Sequence, residues 1–179
     1  MFISIGIGVV VALVLIAIVS FFTGSKTNSG QGSFSNPASA LVGKKLAPWT
    51  QAGLNGSPVD APWDVGHSTA VVIFASWCGP CRAEFPELSK YLATHSLGKV
   101  SLLGVDVQDT PHNAREFLRK NHVTMTSISD PQASAYARFL LPGIPDTIFV
   151  KGNGVVQNMT IGAISPAKFA AGLAALNAN

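Results

Sequence analysis

Both cysteines of this 179-residue chain fall within one hexapeptide, Ser76-Trp77-Cys78-Gly79-Pro80-Cys81. A disulfide closing so short a loop removes few conformations from the unfolded chain, so a structural staple explains the pair poorly. Two neighbouring thiols suit exchange chemistry instead. A thiolate attacks a disulfide to give a mixed disulfide, and a second thiol nearby resolves it. Upstream, Val71-Val72-Ile73-Phe74 is apolar and β-branched, which predicts a strand buried on both faces. Downstream, Glu84 to Thr94 carries Phe85, Leu88, Tyr91 and Leu92 at helical spacing. Cys78 therefore falls at a strand-to-helix junction, where unpaired N–H groups and the helix dipole favour an anion. Its thiolate should form more readily than that of a free cysteine, whose pKa is about 8.5. Cys81, one turn later and less exposed, is the candidate resolving thiol.

Other uses of the pair are disfavoured. A structural zinc site needs a second pair of ligands, and His67, His95, His112 and His122 are dispersed along the chain. No metal or cofactor is expected. The pI near 9.0 reflects a net charge of only +3. The basic residues are scattered, without interleaved aromatics, so a nucleic-acid partner is not expected.

The elements that must position the thiols follow from pattern. Val100 to Val107 reads as a second buried strand, and Pro111 to Asn121 as a helix with proline in its first turn. Asp130 to Phe139 reads as a helix with Asp130 as N-cap and Pro131 just inside. Thr147 to Val150 and Val155 to Ile161 flank Lys151-Gly152-Asn153-Gly154 as a hairpin, and Ser165-Pro166 opens a last helix. Strand–helix alternation followed by a hairpin implies an α/β sandwich with a mixed central sheet.

The composition, with 47% hydrophobic and 12% charged residues, is too apolar for an ordinary soluble domain. The excess lies at the start. Phe2 to Phe22 contains no charge and reaches about 30 Å as a helix, the thickness of a bilayer core. The run is longer than a signal-peptide core and lacks a close small-residue cleavage site. Residues 1–22 are expected to be an uncleaved transmembrane anchor, 23–40 a Gly/Ser/Asn-rich flexible linker, and 41–179 one domain. The nearest basic residues, Lys26, Lys44 and Lys45, follow the span, which points the domain inward. Disulfide chemistry points it out of the cytoplasm, and the chemistry sets the expectation.

WCGPC after a β-strand resembles the thioredoxin-fold motif, and its flanks narrow the likeness. Ala47-Pro48-Trp49, Leu54-Asn55-Gly56, WCGPCRAEFPEL, Gly143-Ile144-Pro145 and Gly152-Asn153-Gly154 resemble, in order and spacing, the membrane-tethered TlpA, ResA and CcmG branch. The resemblance runs from Leu41 onward. It implies a thioredoxin-like three-layer sandwich acting as a monomer on disulfides of proteins, with a membrane electron donor to re-reduce it. It also implies a cis Ile144-Pro145 bond beside the cysteines. Ile144 backbone groups would then face a substrate strand. Gly79 and Pro80 shape the turn at the candidate docking surface, and Trp77 reads first as core and second as part of that surface.

Glu84 has two readings. An acid early in a helix complements its dipole. It also lies three residues after Cys81 on the same face. Thioredoxins proper carry a buried aspartate where this chain has Val72, and the tethered branch associates a glutamate at Glu84 with the active site. Asp146 departs from the frequent threonine after the proline, and such an acid would disfavour the thiolate or repel acidic substrates. Pro86 lacks an N–H and is expected to kink its helix.

The expectation is a membrane-anchored thiol–disulfide oxidoreductase, its catalytic residues Cys78, Cys81 and Glu84, reducing extracytoplasmic proteins. The resemblance adds apocytochrome c as a substrate. Rivals are a disulfide-forming oxidant, a peroxiredoxin-like peroxidase and a binding module whose cysteines are incidental. The peroxidase type usually has threonine three before its reactive cysteine, here Ala75.

Overall fold

A computed structural model describes residues 40–178. The expected anchor (1–22) and nearly all of the linker (23–40) lie outside the described residues. Among the described residues no helix is long and apolar enough to cross a membrane.

A small antiparallel hairpin, β1 (Thr50–Ala52) with β2 (Pro58–Asp60), and a 3-10 turn (Pro62–Val65) precede the main sheet. Then come β3 (Thr69–Phe74), α1 (Gly79–Thr94), β4 (Ser101–Val107), α2 (Pro111–Lys120) and β5 (Thr126–Asp130). The chain closes with α3 (Ser134–Phe139), β6 (Asp146–Val150), β7 (Val156–Ile161) and α4 (Pro166–Asn177). The five-stranded sheet has the order β5-β4-β3-β6-β7. Pairs β3–β4 and β4–β5 are parallel, while β3–β6 and β6–β7 are antiparallel. This is the expected α/β sandwich with a mixed sheet.

β3 is central because every one of its residues is apolar or satisfied, and all are buried. Successive side chains point to opposite faces. Val72 and Phe74 meet Phe85 of α1, Phe117 of α2 and Phe169 of α4, while Val71 and Ile73 meet Trp49, Trp63 and Phe139 on the other face. The helix that carries the cysteines is thus clamped to the most buried strand. It runs without interruption through Pro86.

Three features differ from the sequence reading. β5 was not expected, because Thr126-Ser127-Ile128-Ser129-Asp130 has one aliphatic residue and no apolar run. Pairing with β4 makes it a strand, and Gly104 makes room, since a Cβ there would sit 2.4 Å from Ser127 Oγ. Asp130 ends this strand instead of opening a helix, and α3 starts at Ser134. The carboxylate still caps it from four residues back: it accepts from Ser134 N–H (2.9 Å), Ser134 Oγ–H (2.8 Å) and Ala135 N–H (2.7 Å). Ala133, at φ 56°, turns the chain to allow this. The β1–β2 hairpin was also unforeseen.

Candidate active site

The loop leaving β3 delivers Cys78 to the N-cap of α1. Cys78 and Cys81 are joined as a disulfide, and Cys78 Sγ accepts from Cys81 N–H at 3.1 Å. That bond is one of the unpaired donors of a helix start aimed at sulfur, the local field that favours a thiolate when the bond is reduced. Cys78 keeps 3% of its surface exposed and Cys81 none. Only Cys78 offers any surface to a partner.

The approach to Cys78 is held from both sides. Ser76 N–H donates to Asp109 Oδ2 at 2.7 Å, and Arg82 Nε donates to Ser76 carbonyl oxygen at 3.0 Å. Trp77 Nε1 donates to the Gln108 carbonyl at 2.9 Å, leaving the indole 48% exposed. Gln108 adopts φ 50°, a left-handed conformation that non-glycine residues rarely take. Gly79 and Pro80 are exposed as the first residues of α1.

Glu84 lies beyond the first turn of α1 and is 5% exposed, so it does not complement the helix dipole. Its Oε2 accepts from Ile164 N–H at 2.9 Å, and Oε1 is buried without a hydrogen-bond partner among the described residues. Burial pushes its pKa up to about 7; the Ile164 bond opposes this and Asp146 adds to it. A carboxyl poised there exchanges protons readily near neutrality.

The Ile144-Pro145 bond is cis. β6 pairs Asp146 with Ile73, so this segment meets the end of β3 from which the cysteine loop departs. Pro145 is buried, and Ile144, half-buried, packs against the cluster containing both cysteines. Asp146 is only 1% exposed, which corrects the expectation that it repels acidic substrates: a side chain so buried does not face them. Its Oδ1 accepts from Gly162 N–H at 2.7 Å, and burial raises its pKa to about 6.

Sequence reasoning missed two acids. Asp109 also accepts from Thr110 N–H at 2.7 Å and Asn113 Nδ2 at 3.3 Å. An acid just ahead of Thr110-Pro111 was a visible capping signal. Asp106 is fully buried on β4 with neither oxygen hydrogen-bonded among the described residues. Burial, then Asp109 and Asp130, push its pKa up to about 7. A charge within the predicted buried strand VSLLGVDV was its signal.

A helix-capping sulfur paired with a buried partner, on a mixed-sheet α/β sandwich, defines a thioredoxin-like thiol–disulfide oxidoreductase. The chain belongs to the Redoxin family, whose model matches residues 41–173. It is 31% identical over 130 residues to the thiol:disulfide interchange protein HelX of Rhodobacter capsulatus, covering 70% of this chain and 71% of that one. It is 20% identical over 156 residues to sporulation thiol-disulfide oxidoreductase A of Bacillus subtilis, covering 86% and 88%. Its fold matches a secreted Mycobacterium tuberculosis disulfide oxidoreductase with a TM-score of 0.60 at 26% identity, over 72% of this chain and 96% of that one.

Proposed function

We propose that this protein reduces disulfides of extracytoplasmic proteins, apocytochrome c among them, from an anchor at residues 1–22. The observation that carries this reading is the unequal burial of two joined cysteines at a helix N-terminus, Cys78 just reaching the surface at 3% exposure and Cys81 fully buried. The cysteine pair and the relation to a thiol:disulfide interchange protein support the chemistry. The uncharged run Phe2–Phe22 supports the anchor.

In the dithiol form, Cys78 thiolate attacks one sulfur of the substrate disulfide. A Cys78–substrate bond forms, the substrate bond breaks, and one substrate sulfur leaves as a thiolate that takes a proton. Cys81 then gives its proton to Glu84 and attacks Cys78 sulfur. The Cys78–Cys81 bond forms and the second substrate sulfur leaves, so two electrons have passed to the substrate. Trp77, Gly79, Pro80, Ile144 and Pro145 border the point of attack and receive the substrate chain. A membrane electron donor of the disulfide-reductase type restores the dithiol. The Gly-Pro spacer matches that of thioredoxin, whose pair sits at about −270 mV, a reductant, against about −120 mV for DsbA.

The test is capture. Cys81→Ala protein is expected to accumulate mixed disulfides with extracytoplasmic proteins, seen on non-reducing gels and lost on adding dithiothreitol, and Cys78→Ala protein to accumulate none. Equal capture by both variants overturns the assignment. A measured potential of about −120 mV would favour the oxidant reading.

A further inference from the structure

A groove of about 460 Å³ opens beside the cysteine loop, between the start of α1 and the exposed side of α2. Ser76, Arg82, Asn113, Glu116, Phe117 and Lys120 line it. We propose that this groove is a substrate subsite that selects an acidic side chain close to the target cysteine. The proposal rests on the exchange reaction above and names the class of substrate it prefers.

The groove is built before any substrate arrives. Ser76 stands two residues from Cys78, and both its backbone groups are tied down, the N–H by Asp109 and the carbonyl by Arg82. Asp109 also caps the far wall, through Thr110 N–H and Asn113 Nδ2. The two walls therefore keep a fixed distance from the reactive sulfur. Phe117, almost buried, supplies an apolar floor for the stem of an incoming side chain.

Its exposed charge leans positive, because Asp109, the acid behind its walls, spends its carboxylate on Ser76, Thr110 and Asn113. Glu116, the one acid in the lining, is held by Arg119 at 2.8 Å, which offsets its charge. The Arg82 side chain spends Nε on Ser76 and makes no other hydrogen bond or ion pair among the described residues. The Lys120 side chain makes none among them, though after the bond and charge of Arg119 its own charge also helps to lower the Glu116 pKa. Two exposed cations thus face the groove. Asp146 does not oppose them: it is buried, and it lies on the β6 side of β3 while the groove lies on the β4 side. A carboxylate beside the target cysteine, within reach of these cations, would lengthen the stay of the substrate in line with Cys78. Exposed ion pairs are weak and screened by salt, so the preference should be about three- to tenfold and fade as salt rises.

The full-length protein, in detergent, is assayed on three disulfide-linked peptides identical except for Glu, Gln or Lys two positions from the cystine. The expected kcat/KM order is Glu, Gln, Lys at low salt, carried by KM, and flattened at high salt. Lys120→Glu, which leaves Arg82 facing a new acid, should flatten the order. Lys168→Glu, on α4 away from the groove, makes the same change in net charge and should leave the order standing. Equal kcat/KM for the three peptides overturns the subsite, as does an order untouched by Lys120→Glu. An order altered equally by Lys168→Glu also overturns it, because the attraction then belongs to the whole surface. Failure to reduce even the Gln peptide instead sinks the oxidoreductase reading on which the subsite depends.

Discussion

Glu84 and Asp146, from α1 and β6, hang from the same three-residue segment: Ile164 N–H binds Glu84 and Gly162 N–H binds Asp146. Each carboxyl has one oxygen satisfied and one buried without a hydrogen-bond partner among the described residues. Burial raises both, Asp146 to about 6 and Glu84 to about 7, and the Asp146 charge adds to the rise at Glu84.

This relationship makes a prediction about rate. With Glu84 as proton acceptor, resolution of the mixed disulfide by Cys81 should speed up as pH rises through about 7. Glu84→Gln should remove that limb and slow the step by about 10²-fold, the low end for general base catalysis. Asp146→Asn should keep the limb but move its midpoint to lower pH. Stopped-flow tryptophan fluorescence across pH 5–9 reads both. A midpoint unmoved in Asp146→Asn would show that the two acids do not communicate.

Stability should depend on pH in an unusual direction. Glu84, Asp106 and Asp146 are raised from 4.5, 3.8 and 3.8 to about 7, 7 and 6. Between the ordinary and the raised values the unfolded chain has released protons that the folded one still holds. Their contribution is therefore greatest below pH 4 and is lost as pH rises through 6 to 7. Each is on the order of 3 to 4 kcal/mol at most. Asp109 acts the other way: burial raises its pKa, but bonds from Ser76, Thr110 and Asn113 prevail and hold it below 3.8, so its contribution fades in acid. Calorimetry should find a higher Tm at pH 5 than at pH 8. Asp106→Asn should shrink that difference.

Asp109→Ala should loosen the cysteine loop. It strands Ser76 N–H and Thr110 N–H and removes a charged acceptor, a loss of about 1–3 kcal/mol. Because Trp77 is tied to the adjacent Gln108 carbonyl, its emission should shift in the same variant. Denaturant melts and fluorescence spectra check the pair of effects. Lost stability with an unchanged Trp77 spectrum would confine Asp109 to capping α2.

Gly172→Ala sets two effects against each other. Alanine is favoured over glycine inside a helix by about 1 kcal/mol. Here, however, the added Cβ would lie 2.2 Å from the ring of Phe149, buried in the sheet below α4. Overpacking of this kind costs typically about 1–3 kcal/mol. The clash should win, and a urea midpoint below that of the parent protein is the expected result.

Much of the site was legible because its chemistry is local. The adjacency of a β-branched run, two cysteines and an amphipathic helix was enough to place Cys78 at a helix start, and the continuous apolar run Val71 to Phe74 marked the buried β3. Alternation also announced a mixed sheet, since parallel crossovers and a hairpin leave different spacings. β5 was invisible because its serines become strand residues only beside Gly104, a residue from another strand. Asp130 looked like an N-cap and is one in effect, but the helix it caps begins four residues later, after a turn set by packing. The dipole reading of Glu84 failed for the same reason. Spacing put it near Cys81, but only the closure of the 162–164 segment over α1 buried it, gave it a single N–H partner and set Asp146 close enough to raise its pKa. Sequence specifies which groups are available within a turn or a strand; desolvation and charge coupling arise between segments far apart in the chain, and those only tertiary packing decides.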